Sequence, residues 1–423
     1  MGKNQAMWSF DGSDLPTVDP HTKAKHKILE EYIENLIFTL YGKGRYGVTE
    51  FTFVDAFCGG GMYRDPEDSN QEWEGSPIRI IRAVEAGRLR SKRAYPLNVK
   101  YIFSDSSKEH LDCLRNYSLP KAGLDVIANS EHCLFFHGEF EHLANSIIFS
   151  VSQQKGHSFF LLDPFGWTQV SMSTIRKINS IPGSEIIYTY MIDFIERFIA
   201  QRYDAQFSSF QNILEADGYY EKADSSKIGT TGEQCYLRNE SMRLFREKGN
   251  AKYVFTFSLI AKGNVRALYY LMHMSSNLTA LEVVKESFWK ENTLDYQYYF
   301  EIYGYGFRSS DYYEEGQLSL KFDITQSSEE FCINNLSRDV GKIVNENPDG
   351  VTFRQISERT MEQNPASKRH YMKYLNQLRY ESEIEVERKG QVIQGKKITL
   401  QRQDIIRRAR LKQLFIFDMR KIP

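Results

Sequence analysis

The sequence has few cysteines and no long apolar run, and both absences exclude classes of protein. The five cysteines are far apart along the chain: Cys58, Cys113, Cys133, Cys235 and Cys332. Cysteines spaced in this way form neither a zinc knuckle nor an iron–sulfur motif, so we expect reduced thiols, no metal site and a cytoplasmic location. Because no run reaches membrane-spanning length and no signal peptide is recognisable, we expect no membrane association.

Net charge is also nearly absent, but the charges are unevenly distributed. The whole chain carries a formal charge of −1, whereas residues 366–423 contain 15 Lys and Arg against 6 Asp and Glu. A basic end on a neutral body indicates a surface that faces a polyanion such as RNA or DNA. A solvated face or a contact with a partner protein explains such a run about as often.

A chain of 423 residues exceeds the size at which one hydrophobic core stops growing, so two or three domains are expected. Short apolar runs alternate with stretches of helical period. The predicted strands are 51–54, 99–103, 133–136, 159–162 and 185–191, and the predicted helices are 25–41, 76–90, 193–214 and those beginning at residues 106, 141 and 171. This alternation predicts a parallel, doubly wound α/β sheet.

The last two strands of this sheet are predicted to pair differently. The runs 252–262 and 266–275 are separated by a short turn at Gly263 and Asn264, which requires antiparallel pairing. A parallel sheet that ends in an antiparallel hairpin is typical of the Rossmann-like class I methyltransferases. It predicts seven strands within a domain of residues 1–325. We expect the polar residues 215–250 to form an insertion or a lid.

The alternation of strands and helices ends at residue 323. Three amphipathic helices, 329–345, 354–360 and 367–380, precede an alternating run, 384–400, with a turn at Lys389 and Gly390. Three helices and a two-stranded wing predict a winged helix-turn-helix domain over residues 328–400, with 401–423 as a basic C-terminal segment. The third helix offers five side chains to a nucleic acid or a partner protein: Lys368, Arg369, Tyr371, Lys373 and Arg379.

The strongest local signal is FVDAFCGGG, residues 53–61, at the end of the first predicted strand. Glycines allow a ligand to approach the backbone and expose amide donors, and the acid can receive a cationic amino group. The three glycines are consecutive, unlike the dinucleotide fingerprint G-x-G-x-x-G. We therefore expect S-adenosylmethionine to bind here. The residues expected to contact it are Asp55, Phe57, Gly59, Gly60 and Gly61.

Two further acids follow the second and third predicted strands. Asp105 closes YIFSD, and a carboxylate at this strand end accepts the ribose hydroxyls of a bound nucleoside. Asp is equally an ordinary helix cap. Glu139, in FFHGEF, is placed to accept the adenine amino group of the cofactor, or to face solvent in a first helical turn.

The fourth predicted strand ends in FFLLDPFGW, residues 159–167, where we expect the transfer chemistry. An exocyclic amine of a nucleic-acid base is a poor nucleophile because its lone pair is delocalised into the ring. Asp163 and the carbonyl of Pro164 can accept its two N–H bonds, while Phe165 stacks on the extruded base. The alternative is a structural Asp-Pro turn at a strand end.

Several of these stretches together resemble one family. They are KHKILEEYI, FVDAFCGGG, EGSPIRIIRAVE, LLDPFGW and ALYYLMHMSSNLTALEVVKESFWK, all within residues 20–295. They resemble the three-Cys-motif partner (TcmP) family, which is similar to class I methyltransferases, and members with a C-terminal winged helix resemble residues 328–400. The resemblance implies a separately encoded partner protein with a three-cysteine motif. Separately, Asp163 to Gly166 resembles the motif of tRNA guanosine N2-dimethyltransferases.

Three functions stay open at this stage. The leading hypothesis, based on Asp163, is S-adenosylmethionine-dependent methylation of an exocyclic nitrogen in RNA or DNA. The second is methylation of a partner protein or a small molecule, and the third is a non-catalytic partner with a methyltransferase-like fold. Cytosine C5 methylation is disfavoured, because it needs a cysteine nucleophile and the chain has no Pro-Cys dipeptide.

Overall fold

The computed structural model describes residues 7–43, 46–68, 71–166, 168–192, 196, 205–224, 226, 231–261, 269–291, 298–301, 324–395 and 397–409. The chain forms two compact units, Met1–Lys321 and Phe322–Pro423. The first contains an α/β sheet, and the second contains a small helical domain with a four-stranded sheet.

The elements of the first unit follow one another in the order expected of a doubly wound sheet. They are α1 (Pro20–Tyr41), β1 (Glu50–Asp55), β2 (Met62–Arg64), β3 (Glu72–Glu74), α2 (Ser76–Ser91), β4 (Asn98–Asp105), α3 (Lys108–Cys113), a π-helical turn (Leu114–Ser118), α4 (Leu119–Lys121), α5 (Asp125–Ala128), β5 (Cys133–His137), α6 (Phe140–Ser152), β6 (His157–Leu162), α7 (Met172–Asn179), β7 (Ser184–Tyr190), α8 (Ala205–Leu214), α9 (Thr231–Glu247), β8 (Tyr253–Ala261), β9 (Tyr269–Ser275), α10 (Leu278–Glu291) and β10 (Tyr298–Glu301).

The sheet has the strand order β10-β8-β9-β7-β6-β1-β4-β5. Strands β1, β4, β5, β6 and β7 are parallel, while β9 is antiparallel to both β7 and β8. The predicted class I methyltransferase fold is therefore confirmed, including the antiparallel hairpin that ends it. An eighth strand, β10, pairs antiparallel with β8 at the sheet edge and was not predicted.

Helix α1 is stabilised by capping at its N-terminus and by packing of its buried face. The side chain of Asp19 accepts a hydrogen bond from the amide of Thr22 at 2.8 Å, and Pro20 occupies the first turn, a favourable combination at a helix N-terminus. Its apolar face packs against α2 and α10. With this packing, the first turns of α1 lie at the edge of the sheet where β1 and β6 end.

A short hairpin, β2 paired with β3, separates the first strand from α2 and was missed by the sequence analysis. Its residues, MYR and EWE, are too few and too polar to show a strand period. Residues near the N-terminus extend this hairpin, because the amide of Val18 donates to the carbonyl of Arg64 and the amide of Arg64 donates to the carbonyl of Pro16, each at 2.9 Å.

The expectation of an insertion or lid at 215–250 is wrong for most of its length. Helix α9 belongs to the main core, where Leu237, Leu244 and Phe245 are fully buried, and it packs against β8. It is the crossover helix before the antiparallel hairpin. Of the helix predicted at 193–214, the structure describes residue 196 and α8, and the remainder lies outside the described residues.

The second unit has the predicted winged-helix elements. They are α11 (Ile324–Glu346), β11 (Val351–Thr352), α12 (Phe353–Thr360), α13 (Lys368–Tyr380), β12 (Ile384–Arg388), β13 (Gln391–Val392) and β14 (Ile405–Arg408).

The wing differs from the predicted two-stranded hairpin at 384–400. Lys389 and Gly390 form the expected turn, with φ of 51° and 82°, but β13 has only two residues. The longer partner of β12 is β14, and the side chain of Arg388 binds the buried carboxylate of Asp404. The boundary placed at residue 400 is therefore too early, because part of the segment 401–423 is a strand of this domain.

Candidate functional site

Three acids that were predicted to contact ligands lie together at one edge of the sheet, and the register of the strands places them there. Asp55 ends β1 and is aligned with Phe103 of β4 on one side and with Leu161 of β6 on the other. Asp105 and Asp163 each lie two residues beyond those partners. Because the strands are parallel, the three carboxylates meet where the strands end, which is where α/β sheets bind ligands.

Asp55 is the central acid and is completely buried. Its Oδ1 accepts a hydrogen bond from the amide of Phe57 at 3.4 Å, while Oδ2 has no hydrogen-bond partner among the described residues. Burial raises the pKa of Asp55 to about 7, because the neighbouring Ser76 and the amide of Phe57 offset the cost of desolvation only in part. This carboxyl group therefore changes its charge near neutral pH.

The glycine loop after β1 is packed closely against other parts of the protein. A Cβ on Gly59 or Gly60 would lie 2.9 Å or 2.3 Å from the indole ring of Trp8, and one on Gly61 would lie 2.6 Å from the side chain of Leu114. The glycines at 59 and 61 also have positive φ, 58° and 85°. Internal packing thus requires small residues here, and Trp8 forms part of the wall of any site built on this loop.

Trp8 was not singled out from the sequence. Its indole N–H donates to the carbonyl of Met62, and its ring meets the rings of Tyr63 and His110 edge-on, with centroids 5.1 Å and 4.8 Å away. The N-terminal segment is therefore held across the glycine loop and the β2–β3 hairpin. An isolated tryptophan in a polar, glycine-containing segment gives no periodic signal in a single sequence.

Both carboxylate oxygens of Asp105 form hydrogen bonds with other residues of the protein. Oδ2 accepts the amide of Gly59 at 3.0 Å, and Oδ1 accepts the amide of Ser107 at 2.8 Å and contacts Nδ1 of His110 at 2.9 Å. The carboxylate therefore ties the glycine loop to the start of α3. A carboxylate has about four acceptor positions and three are in use, so one remains for a ribose hydroxyl.

The other two predicted cofactor residues lie on either side of this loop. Phe57 is half-buried and its ring lies 5.7 Å from that of Phe140. Glu139 is exposed at the N-cap of α6, next to Gly138, whose amide donates to the carbonyl of Asp105. The adenine-binding role of Glu139 stays a prediction.

Asp163, the predicted acceptor-binding acid, forms an ion pair that the sequence analysis did not foresee. Nζ of Lys25, in α1, lies 2.8 Å from Oδ1 and 2.6 Å from Oδ2. Burial alone would raise the pKa of Asp163, but the Lys25 ammonium and its hydrogen bonds outweigh this and hold that pKa below its usual value. Asp163 is therefore an ionised, oriented carboxylate.

The residues that follow Asp163 present one aromatic ring to solvent. Pro164 is buried, whereas the side chain of Phe165 is 65% exposed. Most of this ring is therefore accessible, as the predicted stacking on an acceptor requires. Trp167 lies outside the described residues.

His26 and Trp73 complete the inner side of this edge. Nε1 of Trp73 donates to Nδ1 of His26 at 3.0 Å, and burial lowers the pKa of His26 to about 3, helped by the charges of Arg79 and Lys25. His26 is therefore neutral. A cavity of about 20 Å³ beside Lys25, Asp163 and Thr189 has room for a single water and is too small to hold a base.

The five side chains predicted to contact nucleic acid or a partner divide into two groups. Arg369 and Lys373 are exposed on α13, and Lys368 is half-exposed. The prediction that Tyr371 contacts nucleic acid or a partner is wrong, because its side chain is fully buried. Its hydroxyl lies 2.7 Å from both Thr360 Oγ1 and Asn364 Nδ2.

Arg379 is also bound within the domain, because its guanidinium donates to the carbonyls of Ile393 and Gly395. It connects α13 to the wing. Its predicted contact with a partner therefore has to compete with this role.

In the described part of the chain, no helix combines the length and apolarity needed to cross a membrane. Nor do those residues contain a group of three or more His, Cys, Asp or Glu side chains arranged to hold a metal ion.

Comparison with solved structures returns distant neighbours. An O-methyltransferase from Bacillus cereus in complex with SAH is 12% identical, with 61% of this chain and 82% of that chain covered and a TM-score of 0.32. Protein LPL1258 from Legionella pneumophila is 7% identical, with 66% and 96% covered and a TM-score of 0.34. Magnesium protoporphyrin IX methyltransferase from Synechocystis PCC 6803 is 10% identical, with 60% and 84% covered and a TM-score of 0.28.

At these identities and TM-scores the neighbours assign no function to this chain. No curated protein sequence matches it. Residues 310–390 match the family described as the GMT-like wHTH domain, so the C-terminal part of the chain is similar to that family of winged helices.

Proposed function

We propose that this protein is an S-adenosylmethionine-dependent methyltransferase whose acceptor is an exocyclic nitrogen of a nucleic-acid base. The observation that carries the proposal is the convergence of Asp55, Asp105 and Asp163 at the carboxyl ends of adjacent parallel strands. Asp55 is buried, and its Oδ2 has no hydrogen-bond partner among the described residues. Asp105 accepts a hydrogen bond from the glycine loop. Asp163 is oriented by Lys25 and lies close to the exposed ring of Phe165.

The cofactor fits this edge through the first two acids. Oδ2 of Asp55 is buried without a hydrogen bond from the described residues, an arrangement that a cationic amino group would satisfy. Asp105 would hold the ribose with its remaining acceptor capacity, and Glu139 lies next to it in position for the adenine. S-adenosylmethionine, when bound, supplies a methyl group activated by the adjoining sulfonium.

The acceptor is handled by the residues after β6. Asp163 and the Pro164 carbonyl accept the two N–H bonds of the amine, which localises the nitrogen lone pair toward the incoming methyl group. Because the pKa of Asp163 is held low, this carboxylate orients the amine and stabilises its developing positive charge. The released proton then passes to solvent. Phe165 stacks on the base.

The second unit supplies a surface for the nucleic acid. Arg369 and Lys373 are four residues apart on α13 and exposed on the same face, as expected of side chains that contact phosphates or base edges. A partner protein with a three-cysteine motif, implied by the TcmP resemblance, is the other candidate for this surface.

A non-catalytic partner is the second candidate function, and the packing of Trp8 on Gly59 and Gly60 favours it. Methylation of a partner protein or a small molecule would use the same cofactor residues. Radiolabelled methyl transfer from S-adenosylmethionine to total RNA, genomic DNA and cell protein, measured in parallel, separates these functions. Transfer to nucleic acid supports the proposal, and transfer to none of the three supports the non-catalytic partner.

A further inference from the structure

The contact between Lys25 and Asp163 joins two elements far apart in the sequence. Lys25 lies in the second turn of α1, and Asp163 follows β6, 138 residues later. Their side chains are 16% and 30% exposed, so the pair is shielded from solvent on most sides. A carboxylate held by an ammonium on both oxygens has little freedom to rotate.

The Lys25–Asp163 pair also determines the charge that an acceptor meets next to Asp163. Three further groups face it. His26 is neutral because burial holds its pKa at about 3, Thr189 is uncharged, and Asp55, which is more deeply buried, has a pKa near 7. The charge of Asp163 is balanced by Lys25, so the pair presents hydrogen-bond acceptors without a net charge of its own.

The remaining acceptor capacity of Asp163 matches a neutral amine. Of about four lone-pair positions on the carboxylate, Lys25 uses one on each oxygen. A hydrogen bond from the side chain of Thr189 uses a third, and the remaining position can accept an N–H donor. A cationic amine would instead be placed beside the Lys25 ammonium, and like charges at this separation repel.

We propose that Lys25 is a positioning residue of the acceptor site, which fixes the orientation and charge of Asp163 so that the site takes a neutral amine and rejects a cationic one. This inference rests on the proposed methyltransferase function. It extends that function by assigning the charge class of the acceptor and the residue that selects it. Nucleobase amines belong to the accepted class, and protonated lysine side chains belong to the rejected class.

The ion pair itself is tested without any activity. Protein labelled with ¹³C at the Asp carboxyl is titrated by NMR, and Asp163→Asn identifies the signal. In Lys25→Met the pKa of Asp163 should rise by about 1–3 pH units, the usual effect of removing an adjacent cation. In Lys25→Arg it should stay near the parent value. Lys27→Met is the matched control, because it removes the same charge from the same helix two residues away.

The acceptor role is tested by methyl transfer to total RNA and genomic DNA as neutral acceptors and to poly-L-lysine, whose ammonium groups bind as cations and must each lose a proton to solvent before they can accept a methyl group. In Lys25→Met, transfer to the nucleic acids should fall at least tenfold, transfer to poly-L-lysine should rise relative to it, and affinity for S-adenosylmethionine should equal that of the parent. Lys25→Arg should retain the parent preference. Thermal unfolding of each variant shows whether the protein remains folded, and if Lys25→Met does not, Lys25→Gln replaces it.

Different results overturn different claims. An unchanged Asp163 titration in Lys25→Met, or an unchanged ratio of transfer to RNA and poly-L-lysine, overturns the role of Lys25 while leaving the methyltransferase intact. If the parent methylates none of these acceptors although Asp163 titrates as expected, the proposed function fails, and the acceptor role of Lys25 fails with it.

Discussion

The indole ring of Trp8 lies directly against Gly60, so that a Cβ at position 60 would come within 2.3 Å of the indole Cγ. The contact explains why the loop after β1 needs a glycine at a position without an unusual φ. It also assigns a structural role to the N-terminal segment, which covers the glycine loop.

The contact between Trp8 and Gly60 should appear as an energetic coupling. Gly60→Ala should destabilise the parent by about 1–3 kcal/mol through overpacking, and Trp8→Ala by about 3–5 kcal/mol through loss of a buried ring. In the double variant the cost of Gly60→Ala should nearly vanish, as measured by chemical unfolding in a double-mutant cycle. Gly59→Ala is the control, because its φ of 58° keeps the substitution strained without Trp8. Additive costs for Trp8 and Gly60 would contradict the contact.

Asp105 should be required for cofactor affinity. Asp105→Ala removes the predicted partner of the ribose hydroxyls and releases the amide of Gly59. We expect the affinity for S-adenosylmethionine, measured by calorimetry, to fall by about 1–3 kcal/mol. Asp125→Ala, an exposed acid at the start of α5, should leave the affinity unchanged. Equal affinity in Asp105→Ala and the parent would remove this residue from the cofactor site.

Asp55 should make the stability of the folded protein depend on pH. Its pKa is about 7 when folded against a usual 3.8, so between about pH 4 and pH 7 the folded state holds a proton that the unfolded state has lost. The contribution of Asp55 to stability is therefore fully present below pH 4. It falls as the pH rises to 7, by roughly 1.4 kcal/mol per pH unit. The difference in unfolding free energy between the parent and Asp55→Asn should follow this course, and a constant difference from pH 4 to pH 8 would refute it.

Arg369 and Lys373 should carry the nucleic-acid affinity of the second unit. Arg369→Ala and Lys373→Ala in the full chain should weaken binding to mixed RNA and DNA, and each should reduce the salt dependence of binding by about one counterion. Tyr371→Phe should leave binding intact, since this side chain is buried and loses only internal hydrogen bonds. If the parent does not bind, or binds without salt dependence, the surface is a docking site for a protein.

The sequence alone predicted the sheet because its signals are local. Buried strands such as β1 and β6 are short apolar runs, and an acid breaks the pattern at each end, Asp55 as the last residue of β1 and Asp163 directly after β6. The antiparallel hairpin followed from the shortness of the turn between two runs. The same reasoning placed three acids at one edge, because parallel strands align their carboxyl ends.

What the sequence did not reveal depends on contacts between distant segments. Lys25 lies in a stretch that resembles the TcmP family, but its pairing with Asp163 depends on how α1 packs over the sheet. Trp8 has no periodic neighbours, and Tyr371 was mistaken for a surface residue because an amphipathic helix of mixed composition does not show which side faces inward. Pairing of β12 with β14 was missed because 16 residues, which include the short strand β13, separate the two strands in the sequence.

The most direct test of the central claim is methyl transfer by Asp163→Ala compared with the parent, using radiolabelled S-adenosylmethionine and total RNA and genomic DNA as acceptors. Asp163 is expected to contact the acceptor and not the cofactor. The variant should therefore keep the parent affinity for S-adenosylmethionine while transfer falls by about 10²–10³, the usual effect of removing a group positioned to stabilise charge that develops in the transition state. Full transfer activity in Asp163→Ala, or no transfer by the parent to any acceptor, would contradict the assignment of this edge of the sheet as a site of exocyclic-nitrogen methylation.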